Sequence, residues 1–152
     1  MANVEHVNLV VKDIKETKDF LLAAFPDWRV RGQGQNSWYG DKRNWIHIGT
    51  DHSYITLNDM GDGSNRDLKS LNVGLAHIGI VVEDVDELRN RLVSKGYEIG
   101  TIGADHPFRK TIYFIDPAGY EFEFIQYLSD KPEEKNMYGG ETSDIQRIGT
   151  KK

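Results

Sequence analysis

Two stretches of the chain alternate apolar and polar residues, and each opens with a histidine. The first reads HVNLVVKDIKE from His6, and the second reads HIGIVVEDVDE from His77. β-Branched residues in a period of two predict a strand over residues 4–11 and another over residues 75–82. Because the pattern recurs at a fixed offset, we expect two copies of one structural unit.

Each predicted strand leads directly into the start of a helix. Asp13 is followed three residues later by Glu16, and Asp84 by Glu87, an arrangement close to a capping box. The next residues are apolar at helical spacing, which predicts two helices packed on a sheet. Gly96 lies where a glycine commonly ends a helix. The apolar positions are Ile14, Phe20, Leu21, Ala24 and Phe25 in the first copy, and Val85, Leu88 and Leu92 in the second.

Three more strands are predicted after each helix, so the sequence indicates an α+β fold of two βαβββ units. These strands span residues 28–31, 44–48 and 53–58, then 97–101, 110–116 and 120–127. The units cover residues 1–60 and 75–128. A glycine-rich linker joins them over residues 61–74, and a polar extension follows over residues 129–152. Residues 31–40 are predicted to be a hairpin loop, with a lid over a binding site as the alternative.

Composition excludes several functional classes. The net charge is −5 and the pI about 5.5, which argues against nucleic acid or an anionic membrane as a partner. The chain has no cysteine, so disulfides, thiolate zinc sites and a cysteine nucleophile are excluded. No stretch has the pattern of a signal peptide or the length of a membrane span, so we expect a cytoplasmic protein.

Strand alternation places the polar side chains together on one face. His6 opposes the apolar residues of the first strand, and Glu123 opposes Phe122 and Phe124 in the last one. Polar groups on an inward face are costly unless they have partners. Two imidazoles, from His6 and His77, and the carboxylate of Glu123 form a donor set suited to a metal ion.

Three motifs give the chain a specific resemblance over residues 4–127. EHVNLVVKD, AHIGIVVED and YFIDPAGYEFEFIQ resemble the vicinal oxygen chelate superfamily of glyoxalase I, extradiol dioxygenases, fosfomycin-resistance transferases and bleomycin-binding proteins. The resemblance implies a cupped sheet around a metal, with His6, His77 and Glu123 as ligands. At the fourth ligand position, often Glu or Gln in glyoxalases, the chain has Thr56.

The resemblance implies a small metal-dependent enzyme that chelates vicinal substrate oxygens. Three ligands leave open positions on Fe, Mn, Zn, Ni or Co, and the ligand types do not choose among these ions. Dioxygenase-like oxygenation, a glyoxalase-like lyase or isomerase reaction, and thiol transfer to fosfomycin stay open. The alternative is a non-catalytic protein of the bleomycin-resistance type, which sequesters a small molecule.

Other residues are candidates with structural alternatives. Tyr113 resembles an extradiol tyrosine that hydrogen-bonds substrate, or is a packed aromatic. His106 is a candidate general acid or base, or a solvated loop residue. Candidate substrate contacts are Thr56, Trp38 and Arg109. His47 and His52 are expected in surface or loop positions, with His52 as a minor ligand candidate.

The superfamily's habit of four modules per assembly implies a homodimer. Modules pair either within a chain or between chains. In the second case His6 of one chain lies opposite His77 and Glu123 of the other.

Overall fold

The computed structural model describes residues 2–138, and both halves of the chain have the predicted order of elements. The α+β fold is confirmed. The first unit contains β1 (His6–Val10), α1 (Ile14–Ala24), β2 (Arg29–Trp38), β3 (Asp41–Gly49) and β4 (Tyr54–Asn58). The second contains β5 (Ile78–Val81), α2 (Val85–Ser94), β6 (Ile99–Ile102), β7 (Arg109–Ile115) and β8 (Glu121–Tyr127), followed by a short helix α3 (Pro132–Lys135).

Each unit forms its own four-stranded sheet. Sheet A has the order β1-β4-β3-β2 and sheet B the order β5-β8-β7-β6. The first strand of each unit runs parallel to the last one, and the other pairs are antiparallel. Within residues 2–138, β1 and β5 therefore each have one hydrogen-bonded neighbour and are edge strands.

The helices begin where the sequence predicts. The Asp13 side chain accepts from the backbone N–H of Lys15, and the Asp84 side chain accepts from that of Glu87. These bonds satisfy N–H groups that have no partner inside the helix. After α2 the chain turns at Gly96 with a φ of +88°, a conformation that glycine adopts without steric cost.

The two units pack through their apolar faces around one shared core. Phe20 of α1 contacts Phe122 of sheet B at a ring-centroid distance of 5.4 Å, and Phe25 contacts Phe124 at 5.6 Å. Leu9 of sheet A belongs to the same buried cluster. Because both apolar faces turn toward this core, the polar face of each sheet turns away from it.

Hydrogen bonds also fasten one unit to the other. Thr17 Oγ1 in α1 donates to Asp116 Oδ2 in the turn after β7 at 2.6 Å, and both residues are buried. Burial raises the pKa of the Asp116 carboxyl, while hydrogen bonds from Thr17 and from the turn's backbone oppose that rise. Tyr120 Oη donates to the carbonyl oxygen of Val10 at 2.8 Å.

The prediction of a loop or lid over residues 31–40 is wrong. Most of this stretch belongs to β2, which pairs with β3 out to Trp38 and Asp41, and the hairpin turns at Tyr39 and Gly40 with positive φ angles. The pairing shifts between Val30 and Gly32, so the strand contains a β-bulge. This strand was not recognised in the sequence because it is rich in glycine and polar residues, and most of its positions are exposed.

Residues 59–77, between the units, contain neither helix nor strand. Of the predicted C-terminal extension, α3 is described, while residues 139–152 lie outside the described part of the chain. None of the helices in residues 2–138 has the length and apolarity needed to cross a membrane.

Candidate functional site

The polar face of sheet B brings three of the predicted site residues together. His77 Nε2 lies 3.1 Å from Glu123 Oε2, and Tyr113 Oη donates to Glu123 Oε1 at 2.8 Å. Strand register explains this meeting, because Tyr113 of β7 pairs directly with Glu123 of β8, which in turn pairs with Gly79, two residues after His77. A glycine at this position leaves the space beside the carboxylate open.

The surroundings of this cluster are acidic. A second carboxylate, that of Glu121, lies 3.9 Å from His77 Nδ1. Burial and the hydrogen bond to Glu123 raise the pKa of Tyr113 far above its usual value, so the phenol keeps its proton. The side chain of His77 is 41% exposed and that of Glu123 is 18% exposed, so a ligand can reach both from solvent.

An imidazole nitrogen beside a carboxylate oxygen is a donor pair that fits Zn²⁺, Mn²⁺ and Fe²⁺. The hydrogen bond from Tyr113 fits the same use, because ligating carboxylates are commonly held by a neighbouring donor. His77 and Glu123 therefore fit two positions around a divalent ion.

His6, the third predicted ligand, lies on the other sheet. Its ring stacks on Tyr54 at 4.8 Å, and its Nδ1 lies 3.0 Å from Glu5 Oε2. Residues 2–138 contain no group of three or more His, Asp or Glu side chains able to hold a metal ion. His6 lies on sheet A and His77 and Glu123 lie on sheet B, so one chain does not bring the three side chains together.

Strand register identifies which residues of the two sheets are equivalent. In sheet A, Asn8 pairs with Thr56, and in sheet B the equivalent residue Gly79 pairs with Glu123. Thr56 is therefore the sheet A equivalent of Glu123, and it is buried. His47 is likewise the sheet A equivalent of Tyr113, because His47 pairs with Thr56 and Tyr113 pairs with Glu123.

The expectation of a loop position for His47 is wrong, whereas its partly exposed position on the polar face agrees with the surface alternative. His47 lies in β3 on the polar face and is half-buried. The signal was present in the alternation of Trp45 and His47 with the buried residues Ile46 and Ile48. Burial and the nearby Arg31 guanidinium lower the pKa of His47.

Four rings follow one another across sheet A, and we call them the ring stack: His6, Tyr54, His47 and Trp45. Tyr54 lies 4.8 Å from the centroid of His6 and 4.8 Å from that of His47, and Trp45 lies 4.8 Å from His47. The guanidinium carbon of Arg31 lies 4.2 Å from the Tyr54 centroid. Sequence reasoning missed this feature, because its members come from three different strands.

Two predicted functional residues hold the C-terminal segment instead. His106 accepts from the backbone N–H of Phe108 through Nδ1, and its Nε2 lies 2.8 Å from the carbonyl oxygen of Met137. Arg109 donates to the carbonyl oxygens of Lys135 at 2.7 Å and Met137 at 3.0 Å. Both imidazole nitrogens of His106 are thus used in positioning the chain.

The remaining predicted residues lie away from Glu123. Trp38 ends β2 near the hairpin turn, where the guanidinium carbon of Arg43 lies 4.9 Å from its ring centroid. His52 lies in the exposed turn between β3 and β4, with its backbone N–H bound to Thr50 Oγ1. Trp38 shares the polar face of sheet A with the ring stack, since Trp38 and Gly32 lie an even number of residues apart.

Comparison with protein families matches nearly the whole described chain to one of them. The family model described as "Glyoxalase/Bleomycin resistance protein/Dioxygenase superfamily" matches residues 3–124. No curated protein sequence matches the chain significantly.

Solved structures with the same fold are numerous. A glyoxalase family protein from Bacillus cereus superposes with a TM-score of 0.70 at 17% identity, covering 85% of this chain and 96% of that one. A glyoxylase/bleomycin resistance protein/dioxygenase domain from Frankia sp. gives 0.65 at 24% identity, covering 84% and 98%. A mutant of the fosfomycin resistance protein FosX from Listeria monocytogenes, complexed with Mn(II) and 1S,2S-dihydroxypropylphosphonic acid, gives 0.66 at 20% identity, covering 89% and 98%.

Proposed function

The chain belongs to the Glyoxalase/Bleomycin resistance protein/Dioxygenase superfamily, and on that premise we propose that it is a small metal-dependent enzyme. In this proposal a divalent ion binds two adjacent oxygens of a small-molecule substrate. The observation that carries the proposal is the pair formed by His77 Nε2 and Glu123 Oε2, 3.1 Å apart, with Tyr113 bound to the other carboxylate oxygen. The FosX neighbour complexed with Mn(II) is consistent with this use of the fold.

The third ligand in this proposal is His6 of the partner subunit, in a homodimer. Two features of the chain support it. The edge strands β1 and β5 have unpaired backbone groups on their outer sides, which are sites for pairing with another chain. On the polar faces of these strands, Val10 is 37% exposed and Val81 is 62% exposed. Pairing between chains places the polar face of sheet A opposite that of sheet B.

The ion, when bound, supplies Lewis acidity that polarises adjacent substrate oxygens. The chain's own residues have separate tasks. His77 and Glu123 would hold the ion together with His6 of the partner subunit. Tyr113 keeps its proton and fixes the orientation of the carboxylate. His47, with its lowered pKa, is neutral near pH 7 and is suited to accept or donate a hydrogen bond.

This arrangement is compatible with either dioxygenase-like or glyoxalase-like chemistry. Both begin with an oxygen-bearing substrate held between an ion and a protein donor. Fe, Mn, Zn, Ni and Co all accept one carboxylate and two imidazoles. Thr56 provides no carboxylate at the fourth position of the glyoxalases. A glyoxalase-like reaction therefore needs water as the further ligand.

Metal content per chain tests the proposal. We expect about one equivalent in the native protein, and loss of that metal in His6→Ala and in Glu123→Ala. Mixing these two variants under conditions of subunit exchange should restore about a quarter of the native metal, because about half of the dimers are then mixed and one of the two centres in each mixed dimer is intact. His52→Ala, a histidine in an exposed turn, is the matched control. A metal-free native protein after reconstitution with each ion contradicts the proposal.

A second candidate is a non-catalytic protein that sequesters a small molecule. Residues 2–138 of a single chain contain no group of three metal ligands, and a sequestering protein requires no such group. This observation favours the second candidate. Ligand affinity that stays the same with and without metal identifies this candidate.

A further inference from the structure

Arg31 occupies the extra position of the β-bulge in β2. Val30 pairs with Ile48 and Gly32 pairs with His47, so Arg31 has no direct partner on β3. A bulge of this kind turns a side chain away from the direction that strand alternation dictates, and bulges are frequent beside active sites. Here the guanidinium lies 4.2 Å from the Tyr54 ring centroid, on the polar face of sheet A.

The guanidinium of Arg31 has no anionic partner within residues 2–138. Its side chain forms no hydrogen bond and no ion pair there, and the carboxylates of Asp51 and Glu5 have other partners. Asp51 is bound by Arg29, and Glu5 is 3.0 Å from His6. A guanidinium that is positioned by a ring and keeps its donors open is suited to bind a carboxylate or phosphonate through two parallel hydrogen bonds.

Next to Arg31, the ring stack forms an aromatic wall. At its far end the indole of Trp45 lies against Gly32 and Gly34 of β2, and its placement depends on Gly34. A Cβ atom at Gly34 would lie 2.9 Å from Cζ2 of Trp45, closer than side chains tolerate, so glycine is required for this placement. Within the Gly32-x-Gly34 sequence, Gly34 therefore leaves the space that the indole of Trp45 occupies.

The charges of the two polar faces differ in sign. Sheet A presents the guanidinium of Arg31 over the Tyr54 ring, whereas sheet B presents the carboxylates of Glu121 and Glu123 beside His77. An anionic group is therefore attracted to sheet A and repelled by the carboxylates of sheet B.

We propose that Arg31 is the anion-recognition residue of the substrate site, and that the substrate is a small organic acid. Its carboxylate or phosphonate lies on Arg31 and the rest of the molecule lies along the ring stack. The position of this surface opposite His77 and Glu123 rests on the proposed function, but recognition of the anion by sheet A does not.

Binding of simple acids tests the inference. Benzoate and phenylphosphonate are titrated into the metal-loaded protein and into the metal-free protein, with benzamide as the neutral analogue, by calorimetry and tryptophan fluorescence. We expect at least one acid to bind about tenfold or more tightly than benzamide. Arg31→Met should weaken that acid by about 10- to 100-fold and leave benzamide unchanged. The comparison of the two acids identifies the preferred anion.

Arg29→Met is the matched control, because Arg29 lies two residues away on the same strand and is bound to Asp51. Thermal melting of each variant verifies that it is folded, and Arg31→Lys separates charge from the forked geometry. Equal binding of acid and amide, failure of both acids to saturate, or an equal loss in Arg29→Met overturns the inference. Metal content is measured on the same samples so that the two proposals can be distinguished. A protein that contains metal but binds acids no more tightly than benzamide contradicts the role of Arg31 and leaves the proposed function standing.

Discussion

Tyr113 Oη donates a 2.8 Å hydrogen bond to Oε1 of Glu123, so one oxygen of this carboxylate is fixed by the phenol while the other faces the imidazole of His77. The two oxygens therefore have different neighbours. A carboxylate held in this way presents a single oxygen to a metal ion, and its orientation depends on the phenol.

Tyr113→Phe should weaken metal binding by about 10- to 100-fold without abolishing it, because it removes the donor that orients Glu123 and leaves both proposed ligands in place. The measurement is a competition titration with a chromogenic chelator. Tyr127→Phe is the control, since Tyr127 lies on the neighbouring strand and contacts Arg109. Equal affinities in Tyr113→Phe and the native protein would exclude an orienting role for the phenol.

Absorbance titration should show that Tyr113 resists ionisation, as should Tyr97 and Tyr120, whose pKa values burial also raises. The charged form of tyrosine is the phenolate, and burial and the Glu123 carboxylate both disfavour it, so the pKa of Tyr113 is raised. Exposed tyrosines ionise near pH 10. In Glu123→Gln the negative charge is removed, and we expect Tyr113 to ionise at a lower pH than in the native protein. An unchanged titration curve in Glu123→Gln contradicts the assignment.

Thr17→Val should lower the free energy of unfolding by about 1.5–3 kcal/mol at pH 7, because it removes a buried hydrogen bond to the charged carboxylate of Asp116. Loss of the donor raises the folded-state pKa of Asp116 further. The loss in the free energy of unfolding is therefore greatest above the pKa of Asp116 and becomes smaller as the pH falls through that pKa. Urea denaturation at pH 7 and at about pH 4 measures both effects.

Thr101→Val, at an exposed position of β6, controls for the change of side chain. A deficit in Thr17→Val that is the same at both pH values would mean that the hydrogen bond does not depend on the charge of Asp116.

Val81→Lys should shift the protein toward the monomer. Val81 lies on the edge strand β5 and is 62% exposed in the single chain, so the proposed pairing of chains would bury it and a lysine ammonium would be desolvated. Sedimentation velocity over a range of concentrations measures the shift. Val93→Lys, at a residue of α2 that is 49% exposed, should leave the assembly unchanged. Equal effects of the two substitutions would argue against an interface along β5.

Gly34→Ala should disturb Trp45, because the added methyl group would lie 2.9 Å from its indole. Overpacking of this kind costs about 1–3 kcal/mol. Near-ultraviolet circular dichroism and thermal melting measure the disturbance. Gly32→Ala is the matched control, since its methyl group would lie at an ordinary contact distance of 3.8 Å from the same ring. Equal spectra for the two variants would contradict this account of the glycines.

Local signals in the sequence predicted much of the fold. The aspartate caps at Asp13 and Asp84, and the alternation of Phe122 and Phe124 with Glu121 and Glu123, depend on neighbours in the chain and can be recognised without a structure. The position of Thr56 at the place equivalent to Glu123 was predictable from the repeat. The hydrogen bond from Tyr113 to Glu123 was not predicted, because the family resemblance implied a bond from Tyr113 to substrate.

Features that depend on distant contacts were not predictable. β2 is rich in glycine and polar residues, and it is a strand because β3 pairs with it over its whole length. His6 is separated from His77 because the apolar faces of the two units share one core. Nothing in the sequences of β1 and β5 indicates that the units pack in this way. His106 and Arg109 carry the right chemistry for a site, but their partners are backbone carbonyls of the C-terminal segment.

The separation of His6 from His77 and Glu123 on two sheets has a genetic consequence under the proposed pairing. Every centre would draw ligands from two polypeptides, so a chain with both His6→Ala and Glu123→Ala would spoil both centres of any dimer that it forms with a native chain. Such an allele would act in a dominant-negative manner, whereas alleles with one of these changes would complement each other in the same cell.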